Sequence, residues 1–277
     1  MNQTKTILIT GVSSGFGRAL ANAALDEGHN VIGTVRQASA VQAFEAHESG
    51  NAHARQLDLT DTPAIANVVE DIEATFGPVD VLVNNAGYGH EGILEESPTD
   101  EMRRQFEVNV FGAVEMIQAL LPFFRKRRAG HILNITSMGG FITMPGIAYY
   151  CGSKFALEGI SDTLSKELAP FNIHVTAVAP GSFRTDWAGR SMRRSPRKIS
   201  DYDALFEPVR QARMEKSGKQ LGNPDKAAKA MLEIIQCDTP PSHLLLGSDA
   251  LALVRNRLSN MEQEIAAWES LTVSTDG

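Results

Sequence analysis

The chain has 277 residues, 26 Lys and Arg against 33 Asp and Glu, and a formal net charge of −7. With 43% hydrophobic and 21% charged residues, it has the composition of a globular protein. That excludes a disordered or collagen-like chain and a strongly basic nucleic-acid binder.

Short β-branched and aliphatic runs recur along the chain, with helical patterns between them. Thr6–Thr10 is the first predicted strand, followed by a helix near Gly17–Glu27. Asn30–Val35, His53–Leu57, Val79–Val83, His131–Ile135, Ile173–Ala179 and Leu244–Leu246 complete the set. Strands apolar throughout fit a parallel sheet covered on both faces. The rhythm predicts an α/β, Rossmann-type doubly wound parallel sheet of about seven strands in one domain, residues 1–250. Residues 187–223 break the rhythm and are expected to be an insertion covering the substrate. Residues 251–277 are expected to form a C-terminal amphipathic helix and tail. Its apolar positions Leu251, Val254, Leu258, Met261, Ile265 and Trp268 should face the body of the protein, with a lid or a subunit contact as the alternatives.

Cys151 and Cys237 lack CxxC spacing, which suggests a reducing compartment and no disulfide framework. No His/Cys/Asp cluster has metal-ligand spacing, so no metal is expected. Without a signal-peptide core or about 18 consecutive apolar residues, a cytoplasmic protein with no membrane span is expected.

The first strand runs into Gly11-Val12-Ser13-Ser14-Gly15-Phe16-Gly17. Glycines there permit a tight turn, and the following helix N-terminus offers unpaired N–H groups to a pyrophosphate. Gly11, Ser13, Ser14, Gly15, Phe16 and Gly17 are thus the predicted phosphate cradle. No Lys-Ser or Lys-Thr pair follows, which disfavours a Walker A loop. An NAD site wants an acid at the end of the second strand. Here Arg36 stands there, and no acid follows until Glu45. A guanidinium suits a 2′-phosphate, so NADP(H) is expected over NAD(H).

Three further features follow: Asn84-Asn85-Ala86-Gly87, then Ser137, then Tyr150 with Lys154. Tyr150 and Lys154 are one helical turn apart, so a cation can lower the phenol's pKa toward operating pH. Such a phenol can exchange a proton with an alcohol or carbonyl oxygen, and Ser137 can donate to the same oxygen. Tyr149 is a decoy, because Ser153 takes the place of the lysine.

As an ordered set these motifs resemble the short-chain dehydrogenase/reductase family over about residues 4–250. The phrases Gly33–Arg36 and Ser153–Gly159 look most like its 17β-hydroxysteroid and retinol dehydrogenase branch. The resemblance implies roles. Tyr150 is the general acid/base, Lys154 lowers its pKa and holds the nicotinamide ribose, and Ser137 orients the substrate oxygen. Asn109 holds a relay water behind Lys154. Asp58 and Leu59 meet the adenine, and Asn85, Ala86 and Gly87 the adenosine ribose side. Pro180, Gly181, Phe183 and Thr185 frame the nicotinamide. The implied reaction is hydride transfer between NADP(H) and a small-molecule carbonyl or alcohol. An NAD-dependent alcohol dehydrogenase and a non-catalytic dinucleotide-binding regulator are the alternatives. The family often pairs through the helices carrying Asn109 and Tyr150, so a homodimer, a homotetramer and a monomer all stay open.

Phe141, Ile142, Met144, Ile147, Phe183, Trp187 and Met192 are expected to line a pocket for a hydrophobic ketone or secondary alcohol. The basic stretch Arg190–Lys198 reads as a mobile solvated loop, with recognition of an anionic substrate or closure over the cofactor as alternatives. Arg125–Arg128 suits a helix C-terminus, and Cys151 reads as a small packing residue.

Overall fold

The computed structural model describes residues 4–277. Seven parallel strands form the central sheet in the order β3-β2-β1-β4-β6-β7-β9. These are β1 Thr6–Thr10, β2 Asn30–Val35, β3 Ala52–Gln56, β4 Val81–Asn84, β6 Gly130–Ile135, β7 Ile173–Pro180 and β9 His243–Leu246. Every residue of β1 is buried, as expected for a strand covered on both sides. The predicted strands are all present, their ends unmoved or moved by at most two residues. The fourth starts at Val81, and Val79 N donates to the Glu73 side chain.

Helices α1 Gly15–Asp26, α2 Ser39–Glu45 and α8 Pro224–Ile235 cover one face. Leu20, Ala24, Met231 and Leu232 seal that layer against Ile7, Ile9 and Val83. Helices α3 Thr62–Phe76, α5 Gly112–Arg127 and α6 Ala148–Leu168 cover the other. There Ile65, Val69, Met116, Leu120 and Phe124 pack on Leu8, Leu82 and Ile132. The run Thr99–Arg127 joins α4 Thr99–Phe106 to α5 and is long and apolar enough to cross a bilayer. Its apolar stripe is instead a layer of this core.

The strand order reverses between β1 and β4. Ligands in open α/β sheets bind at that switch point, beyond the strands' C-terminal ends.

Three features differ from the sequence-based expectation. A second, two-stranded parallel sheet pairs β5 Gly89–Glu91 with β8 Met192–Arg194. The insertion also carries a helix, α7 Asp203–Glu215. Finally, α9 Ser248–Val273 does not lay its apolar face on the body. Ala250 and Val254 are buried, whereas Leu251, Leu258, Met261, Ile265 and Trp268 are exposed.

Candidate active site

The turn after β1 is stitched to the end of β4. Thr10 Oγ1 accepts from the backbone N–H groups of Asn85 and Ala86, both at 3.0 Å. The Asn85 amide donates back to Thr10 O at 2.9 Å and Gly11 O at 3.1 Å. Asn85 therefore braces the turn with its side chain. Gly11 and Gly15 have φ of 75° and 59°, a region where a Cβ is strained. A Cβ on Gly17 would lie 2.4 Å from Gly11 O. Gly17 thus lets α1 close on the turn and does not itself line the cavity. Ser14 precedes α1 without capping it, so the first-turn N–H groups of α1 point outward unspent.

One cavity of about 1520 Å³ opens above the switch point. Gly11, Ser13, Ser14, Gly15 and Phe16 form one wall, with Arg36, Asp58 and Leu59 at the far end of it. Asn85, Ala86 and Gly87 continue the lining toward Ser137, Tyr150 and Lys154. Pro180, Gly181, Phe183 and Thr185 close the opposite side. A Cβ on Gly181 would fall 2.2 Å from the Asp249 carboxylate, which explains why glycine follows β7. Asp58 Oδ1 is held by Thr60 N and Oγ1 at 3.0 and 2.9 Å.

Tyr150 and Lys154 sit on the first turns of α6. Lys154 Nζ donates to Ile135 O at 2.7 Å and lies 5.8 Å from the Tyr150 ring centroid. Burial pulls the ammonium down to about 8, and Glu158 one turn further on opposes that pull. Burial pushes the Tyr150 phenol up to about 12, opposed by a hydrogen bond with Ser137. In the protein alone Lys154 Nζ is thus engaged by the Ile135 carbonyl. Gly139 leaves room beside both side chains. A Cβ there would meet Tyr150 Cε1 at 3.3 Å and Ser137 Oγ at 3.4 Å.

Asn109 lies below this group, buried in a π-helical turn, Glu107–Phe111, between α4 and α5. Such single wide turns recur at functional sites. Its amide donates to Tyr88 O at 3.0 Å and Ser153 Oγ at 3.1 Å, and Oδ1 accepts from Tyr88 N at 3.1 Å. Asn109 thus ties the loop after β4 to α6, leaving one Oδ1 lone pair for a water.

Of the residues expected around the substrate, Met144, Phe183 and Trp187 line the cavity. Trp187 leans on Tyr150 with ring centroids 4.9 Å apart. Phe141, Ile142, Ile147 and Met192 do not line it. Ile147 packs beneath Tyr150 and Cys151, and Met192 stands against Gly89. Tyr88, Val108, Val209 and Leu221 take their place.

Two arginines of the basic stretch are held by buried acids. Arg194 Nε meets Glu91 Oε1 at 2.9 Å, and Arg197 Nε meets Glu96 Oε2 at 2.8 Å. Glu91 also pairs with Arg213 of α7. Both glutamates are buried, and their counterions all lie in the insertion. Sequence reading missed them because an isolated acid in a loop carries no burial signal.

Residues 5–195 match the short chain dehydrogenase family model. A short-chain dehydrogenase from Streptomyces avermitilis is 39% identical, with a TM-score of 0.92 over 100% of both chains. The 3-ketodihydrosphingosine reductase of Bacteroides thetaiotaomicron is 37% identical over 88% of each chain. ElxO with NADP bound is 26% identical, with a TM-score of 0.76 over 90% of this chain and 100% of that one.

Proposed function

The chain belongs to the short-chain dehydrogenase/reductase family of oxidoreductases, and from that premise we propose that it interconverts a hydrophobic ketone and its secondary alcohol with NADP(H), using Tyr150 as general acid/base. One observation carries the reading: a single cavity holds the glycine turn and Arg36 at one end and Ser137, Tyr150 and Lys154 at the other.

The cavity fits a dinucleotide phosphate. Gly11 and Gly15 clear the approach, α1 presents uncapped N–H groups, and Arg36 lies beyond β2 where a 2′-phosphate would be met. The nicotinamide, when bound, supplies or accepts the hydride. The chain's own groups handle the oxygen. Ser137 donates to it, and Tyr150 delivers or removes its proton. Met144, Trp187, Val209 and Leu221 line the cavity and offer the substrate apolar contacts. The Bacteroides relative is by name a reductase of a 3-keto compound, and ElxO binds NADP. Both support the reductive, NADP-linked form.

The test is Tyr150→Phe. NADPH binding should persist, while ketone-dependent NADPH consumption falls at least about 100-fold. Turnover near that of the unchanged protein would contradict the mechanism.

A further inference from the structure

The cavity is basic in an acidic chain. Its basic lining residues outnumber its acidic ones two to one, although the chain carries a net charge of −7. Several of those cations are already engaged. Arg190 pairs with Asp186, Arg213 pairs with Glu91, and Lys154 donates to Ile135 O. Arg36 is the residue assigned to the 2′-phosphate. Among the described residues the other lining cations make no ion pair: Lys216 and Lys219 just past α7, and Arg104 and Arg193.

Arg104 and Arg193 converge on Tyr88, which also lines the cavity. Arg104 lies on α4, and its neighbour Gln105 donates to Tyr88 O at 2.8 Å. Arg193 is the middle residue of β8, in register with His90, two residues past Tyr88. Burial and Glu101 raise the Tyr88 phenol, and both arginines oppose them. Glu107 lines the cavity one turn past Arg104, yet neither glutamate pairs with either arginine among the described residues. Two guanidiniums held near one phenol repel each other.

Tyr88 Oη is buried and has no hydrogen-bond partner, and the same holds for Trp187 Nε1. An indole N–H can only donate, and a buried donor left unpaired is costly. Both residues stand beside the reacting group. The Trp187 ring centroid is 4.9 Å from that of Tyr150. Gly87, one residue before Tyr88, would place a Cβ 3.8 Å from Lys154 Nζ.

We infer that Arg104, Arg193, Tyr88 and Trp187 form an oxyanion subsite, so that the ketone carries a carboxylate, phosphate or sulfonate a few bonds from its carbonyl carbon. This rests on the ketone-reductase reading and narrows it. Such a group accepts from both guanidiniums at once and lifts their repulsion. It also gives Tyr88 Oη and Trp187 Nε1 the acceptor they lack. Met144, Val209 and Leu221 are left for the apolar remainder of the substrate.

The test compares 4-oxodecanoate with its methyl ester, which keeps the chain, the ketone and the acceptor oxygens but loses the charge. With NADPH the acid should have the higher kcat/KM, by at least about 10-fold. Arg104→Gln with Arg193→Gln should bring the ratio of acid to ester close to one. Trp187→Phe keeps a ring beside Tyr150 but removes a donor, and should lower the ratio several-fold. Octanoate, octyl phosphate and octanesulfonate lack the ketone, so calorimetry with NADP⁺ present reads the subsite without turnover. The tightest of the three names the head group, and its binding should weaken at least about 10-fold in the Arg104→Gln, Arg193→Gln chain. Turnover of the ester with no preference for the acid overturns the inference. So does binding of none of the three anions, or binding that the two substitutions leave unchanged. Anion binding that they weaken, with no turnover of either ketone, upholds the subsite and contradicts the reductase reading instead.

Discussion

Replacing Glu91 by Gln should loosen the segment that covers the cavity. Glu91 is 1% exposed, accepts from Arg194 at 2.9 Å and pairs with Arg213, with Arg210 Nε at 3.9 Å. Removing one partner of a buried ion pair costs about 3–5 kcal/mol. Gln keeps the shape and one acceptor, and the arginines are partly open to water, so the cost should fall to about 2–3 kcal/mol. An unfolding entropy of roughly 0.6 kcal/mol/K for a chain of this size turns that into a Tm drop of about 3–5 °C. Arg213 also reaches Pro145 O and lines the cavity, so KM for a ketone should rise several-fold while kcat changes less. Thermal denaturation and steady-state kinetics read both effects. Adding Arg213→Met should recover part of the stability, because it removes the stranded charge. A Tm within about 1 °C of the unchanged protein, with the same KM, would refute the view that this carboxylate fastens the cover.

Two other substitutions probe the centre of the site. Glu158 opposes the burial that lowers Lys154, and it bonds Thr136 at 2.5 Å and His243 at 3.0 Å. Glu158→Gln keeps those contacts but lets burial act unopposed, so Lys154 sheds its proton at lower pH. The alkaline limb of kcat/KM should move to lower pH, and a pH–rate profile with an unmoved limb would contradict the coupling. Gly17→Ala must displace Gly11 O, 2.4 Å from the new Cβ. It should cost about 1–3 kcal/mol of stability and weaken NADPH binding, both measurable by thermal shift with and without NADPH.

The fold was legible because its strands are short apolar runs separated by helical patterns. The switch point gathered Gly11, Arg36, Ser137, Tyr150 and Lys154 around one cavity, as their places at strand ends implied. What escaped the sequence has physical causes. β5 and β8 read Gly-His-Glu and Met-Arg-Arg, with no apolar alternation, and their pairing spans about a hundred residues of chain. The burial of Glu91 and Glu96 depends on arginines that look solvated in sequence. Phe141 and Ile147 are apolar and near the site, yet hydrophobicity does not distinguish a cavity wall from the core behind it. On α9 periodicity gave the apolar face, whereas what covers that face is a tertiary or quaternary question.

The most direct test of the account is cofactor titration followed by energy transfer from tryptophan, since Trp187 lines the cavity. NADPH should bind more tightly than NADH. Arg36→Ala should erase a preference of about 10- to 100-fold, the worth of one charge-assisted contact to phosphate. Binding of neither cofactor, tighter binding of NADH, or an NADPH affinity untouched by Arg36→Ala would contradict it.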